Sequence, residues 1–365
     1  MHHNTDFSLL TNNYLNLKPK YFVMKNIGQT FTVTRDSSLL KYLFEILPGQ
    51  SRTSVKNILS KGQVLVNNVP ETAFDKPLFK GDSLVILPKV ISMARESRDE
   101  AFSSVTAAGV QIVFEDDHLL VVDKPSGLAT IATGNRRKEG QGNKKVQKET
   151  RRERTLYSIL YDYVRTTVKA QRKEEKAMGL ELDRTSKKVW IVHRIDRGTS
   201  GLVLFAKDER TKDLLQSKWK ESVNERKYTA YLEGVPNEPE GTIESWLTEN
   251  PKSLKMSSSP VERKDSQHAV THYRTLGTVK LEKYLFTKTE FSLETGRKNQ
   301  IRVHAQSIGH PVTGDYKYGA EFDPIRRLAL HASTIVFRHP YTGETIRCES
   351  PLPSDFERFL KNEQR

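Results

Sequence analysis

Between residues 110 and 338 the chain repeats one device: a short run of β-branched, aliphatic and aromatic residues closed by a polar turn. Such runs fall at 111–114, 118–122, 189–192, 202–206, 227–232, 270–275, 284–293, 328–332 and 335–338. Their length and composition predict strands. Helical spacing is confined to 155–164, 208–219 and 300–308. In the first of these, Leu156, Ile159, Leu160, Tyr163 and Val164 make one amphipathic face. Many strands with few helices, largely segregated, argue against a doubly wound fold and predict an α+β class built on a mixed or antiparallel sheet.

A smaller pattern precedes this one. Residues 1–25 read as an arm without a sustained period. From 26 to 90, Leu39, Leu40, Leu43, Phe44 and Leu47 form a helical stripe ended by Pro48-Gly49. Ser51 can cap a second helix that turns Val55, Ile58 and Leu59 inward and carries Arg52 and Lys56 on one face, with Lys61 just beyond. Strand signals follow at 64–66 and 84–87. The polar, charged stretch 91–104 reads as a linker, and 105–365 as the larger domain. A length of 365 residues suits two domains.

Composition narrows the function. Lys and Arg number 59 against 45 Asp and Glu, a net charge of +14, so the expected partner is a polyanion, nucleic acid first. No apolar stretch approaches the ~20 residues that span a bilayer, and the N-terminus lacks the basic and apolar regions of a secretory signal. Cys348 is the single cysteine, which excludes an internal disulfide and a thiolate metal cluster and suits a reducing, cytoplasmic setting. There is no phosphate-cradling Gly-rich loop, no dinucleotide fingerprint and no zinc helix, and the ten histidines are scattered. Neither a cofactor nor a metal is implied. Residues 135–154 hold nine basic and three acidic residues. This tract is either a solvated insertion or a basic arm, with Arg136, Arg137, Lys144 and Lys145 placed to clamp phosphates.

Three polar segments lodged among the strands carry the chemistry. In 193–201 a single carboxylate, Asp196, stands between Arg194 and Arg197. A short loop between strands positions side chains rigidly, although Asp, Gly, Thr and Ser are also ordinary turn formers. In 294–304 a helix begins among cations, Arg297, Lys298 and Arg302. Cations oppose the helix dipole there, which points to a local anion, an Asp of the protein or a ligand phosphate; the alternative is a solvated basic face. Along 226–231, Tyr228 and Ala230 share one strand face and Tyr231 takes the other. At least one of the two rings belongs to the core, and the other can stack on a base.

Together these segments resemble the RluA-type RNA pseudouridine synthases. The likeness covers 110–350. It is carried by Glu115-Asp116-Asp117-His118 through Asp123-Lys124-Pro125-Ser126-Gly127, by 193–201, by Lys227-Tyr228-Thr229-Ala230 and by 295–304. His310-Pro311-Val312-Thr313-Gly314-Asp315 with Tyr318-Gly319, and Leu328-Ala329-Leu330-His331-Ala332, complete it. Residues 37–88 look like an S4-type RNA-binding domain, so the expectation is a small α+β S4-like module ahead of a catalytic domain. The resemblance implies Asp196 as the essential aspartate, Tyr228 as the aromatic against the target uracil and Arg302 as the partner of the aspartate. It also implies Leu330 against the base and Arg194 holding the target nucleotide out of its stack. Arg197, Arg297 and Gln300, from the same segments, are expected to bind substrate. Asn299 departs from the family pattern, which commonly has His. The expectation is an isomerase without cofactor or metal, acting as a monomer on structured RNA. Ribosomal RNA is preferred over tRNA. The rival readings are an S4-type RNA-binding protein that has lost catalysis and an RNA-binding hydrolase.

Overall fold

The structure is a computed structural model that describes residues 28–132, 153–177 and 186–361. The expected arm at 1–25 and nearly all of the basic insertion, including Arg136, Arg137, Lys144 and Lys145, lie outside the described residues. The chain divides into two compact units, one within 1–105 and 162–187, the other within 106–161 and 188–365.

The first unit holds β1 (Gln29–Thr32), β2 (Ser37–Ser38), α1 (Leu39–Ile46), α2 (Arg52–Ser60), β3 (Val64–Val66), β4 (Val69–Glu71), β5 (Pro77–Leu78) and β6 (Ser83–Ile86). An antiparallel sheet in the order β1-β6-β3-β4 covers the two helices. Leu39, Leu43, Val55, Leu59, Val64 and Leu84 form their shared core, each burial contributing about 1.5–3 kcal/mol. Ser51 caps α2 as its sequence suggests, its Oγ accepting from the Ser54 N–H at 3.1 Å.

The stretch read as a linker is instead the body of a helix, α3 (Lys89–Ala107). Its inward stripe runs Ile91, Ala94, Arg98, Phe102 and Val105, a helical period with a charge in the middle. Arg98 occupies that position because it meets Glu174 at 2.6 Å. A buried-face arginine breaks the apolar signal and hides the helix. Glu174 belongs to α4 (Leu156–Ala177), which runs thirteen residues past the expected end at 164.

The second unit is built on a mixed sheet, eleven-stranded among the described residues. Its strands are β7 (Gln111–Glu115), β8 (Leu119–Lys124), β9 (Trp190–Ile191), β10 (Ser200–Ala206), β11 (Val223–Glu233), β12 (Glu240–Glu249), β13 (Met256–Ser259), β14 (Gln267–Leu281), β15 (Tyr284–Leu293), β16 (Leu330–Arg338) and β17 (Thr345–Glu349). The order is β13-β12-β14-β15-β11-β16-β10-β8-β7, with β17 also on β16 and β9 also on β10. Only β10 and β16 are parallel. Gly201 sits in that pair at φ +109°, where a Cβ would lie 2.2 Å from the Ala332 carbonyl oxygen, so no other residue fits. α5 (Glu209–Ser217), α6 (Trp219–Ser222), α7 (Gln300–Ser307) and α8 (Ser354–Lys361) complete the unit. Leu119, Val121, Leu202, Leu204, Ile335 and Phe337 pack one face. On the same side as Tyr231, Phe356 of α8 approaches the Tyr231 and His331 rings, with centroids 5.7 and 6.3 Å apart.

The runs expected as two strands at 328–332 and 335–338 are one strand, β16. Lys227 pairs with Thr334 but Tyr228 with Ala332, so Ser333 is a bulge that breaks the alternation. β12 was not evident in the sequence because Ser245 takes an inward position between Ile243 and Leu247. Among the described residues no helix is long and apolar enough to cross a membrane.

Candidate active site

Asp196 lies in the loop from β9 to β10, and that loop is fastened through its backbone. The Ile195 carbonyl accepts from Thr130 Oγ1 at 2.8 Å, the Arg197 carbonyl from the Gly127 N–H at 2.8 Å, and the Gly198 carbonyl from Ser126 Oγ at 2.7 Å. Lys124 Nζ donates to the carbonyls of Pro125 (2.9 Å), Leu128 (2.8 Å) and Arg197 (3.3 Å). Full burial pushes the Lys124 pKa down to about 7, against the pull of Asp196. Three carbonyl acceptors nevertheless match the three N–H bonds of an ammonium. The Asp-Lys-Pro-Ser-Gly segment therefore acts as a clasp: it fixes the aspartate loop without touching the carboxylate. Thr130→Val, which keeps the shape and removes the donor, should destabilise the protein by about 1–2 kcal/mol and lower kcat more than it raises KM. Thermal melts and steady-state kinetics check this.

The Asp196 side chain is 22% exposed, and its Oδ2 accepts from Arg302 Nη1 at 3.2 Å. Arg302 sits in the first turn of α7, which docks through Val303 onto Leu247, Met256 and Ala269. The rest of its guanidinium is engaged elsewhere. Nε and Nη2 donate to Asp315 Oδ2 and Oδ1 at 2.6 and 2.7 Å, a bidentate pair with a carboxylate that is 1% exposed. Its Cζ lies 4.9 Å from the Tyr318 ring centroid. Burial alone would lower the Arg302 pKa, but the hydrogen bonds and charge of Asp315, joined by Asp196, outweigh it and raise the value. The anion demanded by cations at this helix start is thus supplied by two aspartates of the chain itself.

Asn299, at the left-handed N-cap with φ 55°, bridges the cluster. Its Oδ1 accepts from Arg302 at 3.3 Å and its Nδ2 donates to the Tyr318 hydroxyl at 2.9 Å. Tyr228 is buried on β11, close enough to Asp196 for the two to interact electrostatically. Burial is the main cause that raises the Tyr228 pKa; the Arg226 charge opposes it and Asp196 adds to it. Opposed residues of an antiparallel pair share a face, so the registers Tyr228–Ala332 and Ala230–Leu330 put Leu330 beside Tyr228. Tyr231 points the other way and is fully buried, which makes it the core ring. Among the described residues no group of three or more His, Cys, Asp or Glu side chains is placed to hold a metal ion.

The sequence profile of the RNA pseudouridylate synthase family matches residues 118–307, which span the clasp, the Asp196 loop, Tyr228 and Arg302. The chain is 31% identical over 328 residues to the uncharacterized RNA pseudouridine synthase YhcT of Bacillus subtilis, with 88% of this chain and 93% of that one covered. The chain belongs to the RluA family of RNA pseudouridine synthases. It is also 30% identical over 329 residues to the ribosomal large subunit pseudouridine synthase D of Nitrosomonas europaea, covering 87% and 82% of the two chains. The fold resembles that of human RNA pseudouridylate synthase domain containing 4, with a TM-score of 0.50 at 21% identity over 74% of this chain and 97% of that one. The synthase is accordingly an isomerase acting on RNA.

Against that family frame the expected site residues sort by geometry. Arg302 bonds Asp196, Tyr228 interacts with it electrostatically, and Leu330 shares the sheet face of Tyr228. Arg194 is exposed. Arg197 is exposed too and pairs with Glu153. Arg297 is exposed, with Nε donating to the His268 carbonyl at 3.0 Å. Gln300, expected at the substrate, is instead turned into the protein. It is 3% exposed, its Oε1 accepts from Thr295 Oγ1 and the Arg297 N–H, and its Nε2 donates to the Val270 carbonyl and Thr271 Oγ1. With its amide fully used, it braces the turn that launches α7. Burial takes the pKa of His193 down to about 3 and that of His304 down to about 4, so neither ring is charged near neutral pH. Asp315, Tyr318 and Lys124 were not singled out from the sequence. Their signal was present in the Gly-Asp-Tyr-Lys-Tyr turn and in a lysine ending an apolar strand.

Proposed function

We propose that the synthase isomerises uridine in structured ribosomal RNA, that the target nucleotide leaves its stack to enter the pocket, and that Asp196 is the carboxylate that works at its ribose. The observation that carries this reading is the Asp196 carboxylate itself. It stands on a backbone-fastened loop, is partly open, is held at one oxygen by Arg302 and lies beside the buried Tyr228. The reaction breaks the bond from C1′ to N1, turns the base and joins C1′ to C5. C5 loses its proton to solvent and N1 gains one, so atoms and electrons balance without a redox carrier. Unstacking costs a few kcal/mol, and contact of the base with Tyr228 and Leu330 recovers part of it. A carboxylate near C1′ can attack the sugar or take a proton from it.

The first unit supports a large structured substrate. Arg52 and Lys56 are exposed on α2, with Lys61 at its C-cap, a pair of helices and a small sheet that suit an S4-like RNA-binding role. The relative from Nitrosomonas europaea is named for the large ribosomal subunit, which favours ribosomal RNA over tRNA. The test is tritium release from transcripts labelled at uridine C5. One tritium per pseudouridine should leave large-subunit ribosomal RNA; release from tRNA alone would overturn the choice of substrate.

A further inference from the structure

We infer that Lys255, Lys317 and Tyr316 form a second RNA contact beside the catalytic pocket, in which the two ammonium groups take consecutive phosphodiesters and the Tyr316 ring stacks on a base flanking the target. The inference rests on the reading of the Asp196 pocket as the reaction site.

Tyr318 lies at the centre of the contact. Its ring is fully buried and its hydroxyl is fixed, accepting from the Met256 N–H at 3.1 Å and from Asn299 at 2.9 Å. Three cations gather round this ring among the described residues: Arg302 at 4.9 Å from the centroid, Lys255 at 5.4 Å and Lys317 at 5.9 Å. Lys298 is close enough to repel Lys317. The carboxylates nearby are already committed. Asp315 and Asp196 hold Arg302, and Glu249 pairs with Lys298. Lys317 donates to the Leu254 carbonyl at 2.8 Å, and among the described residues neither Lys317 nor Lys255 meets a carboxylate. Burial of the Lys317 amine, then the charges of Arg302 and Lys298, lower its pKa, while Glu249 and Asp196 oppose them. Two ammonium groups that meet no carboxylate of their own are placed to take an anion, and the anion an RNA substrate brings is its backbone.

The neighbouring residues fit a strand rather than a lone ion. Tyr316 is 64% exposed and Leu254 is 56% exposed, each next in sequence to one of the two lysines. An exposed ring next in sequence to a lysine without a carboxylate partner supplies what grips single-stranded nucleic acid: charge for phosphates and a stacking face for bases. Arg302 joins the two places, its Cζ 4.9 Å from the centroid of the ring that both lysines approach and its Nη1 3.2 Å from Asp196 Oδ2, so a strand held here runs beside the Asp196 site.

Fluorescein-labelled decauridylate tests this by fluorescence anisotropy at several salt concentrations. Each phosphate contact on a single strand contributes about 0.7 to the slope of log K against log salt. Lys255→Ala/Lys317→Ala should therefore flatten the slope by about 1.4 and weaken binding about 25-fold at 0.1 M salt, with the loss closing near 1 M. Lys255→Gln/Lys317→Gln, which can keep the bond to the Leu254 carbonyl, should behave alike. Tyr316→Ala should lose about fivefold or more at every salt concentration. Lys264→Ala/Lys283→Ala, equal in charge and exposed elsewhere on the same unit, is the reference. A lysine-pair loss no greater than that of the reference, or an unchanged slope, overturns the phosphate contact; wild-type affinity in Tyr316→Ala overturns the stacking. Failure of the Asp196 reading would appear in turnover and leave these binding results standing.

Discussion

Asp196→Asn is expected to fold, to bind RNA as the wild type does, and to release tritium from C5-labelled uridine at least about a thousandfold more slowly. Folding survives because the loop is held by its carbonyls, which the clasp residues Lys124, Ser126, Gly127 and Thr130 engage. The aspartate side chain contributes one 3.2 Å bond to Arg302, and an amide oxygen can still accept it. With the side chain 22% exposed, loss of that charge pair should cost under about 1 kcal/mol. Chemistry does not survive, because an amide neither attacks C1′ nor removes a proton from the ribose. Single-turnover assays with enzyme in excess separate this from weakened binding. Turnover above a tenth of the wild-type rate would remove Asp196 from the reaction.

The parts of the site legible in the sequence are those whose chemistry is local. A polar loop between two apolar runs offers Asp196 as a candidate among ordinary turn formers, and the family resemblance singles it out. Strand alternation puts Tyr228 and Tyr231 on opposite faces without saying which is core; the resemblance picks Tyr228 for the base, and the structure buries Tyr231 fully. Cations set against a helix dipole forecast an anion near Arg302. What could not be read is partnership across the chain. Asp315 is thirteen residues beyond Arg302 in a turn, and nothing in that turn says its carboxylate is buried against a guanidinium. Gln300 looks like a substrate ligand until its four hydrogen bonds are seen to be spent on Thr295, Arg297, Val270 and Thr271. The missed elements have the same origin. Ser245 interrupts β12 because its Oγ meets His304 Nε2 at 3.0 Å, and Arg98 interrupts the stripe of α3 because it meets Glu174. In each case a polar residue on the inward face, satisfied from elsewhere in the fold, stands where a period-based reading needs an apolar one.

Arg302→Met should abolish turnover and also destabilise the protein, by about 3–5 kcal/mol. The size follows from Asp315 rather than from Asp196. Asp315 is 1% exposed and receives both of its short charged bonds, 2.6 and 2.7 Å, from this guanidinium. Without it a carboxylate is left buried with no counterion, and the Tyr318 ring loses its stacked cation. Asp196, at 22% exposure, can turn to water instead. Stability and catalysis should therefore separate in a double-mutant cycle. Adding Asp315→Asn to Arg302→Met removes the stranded charge and should restore about 2 kcal/mol or more, within the range of coupling between residues in contact. Turnover should stay absent, because the carboxylate of Asp196 still lacks its cation. Denaturant melts alongside tritium release read both quantities. A single variant with wild-type stability, or a double variant no more stable than the single one, would show that Asp315 does not depend on Arg302. Near-normal turnover in either would show that Asp196 works without it.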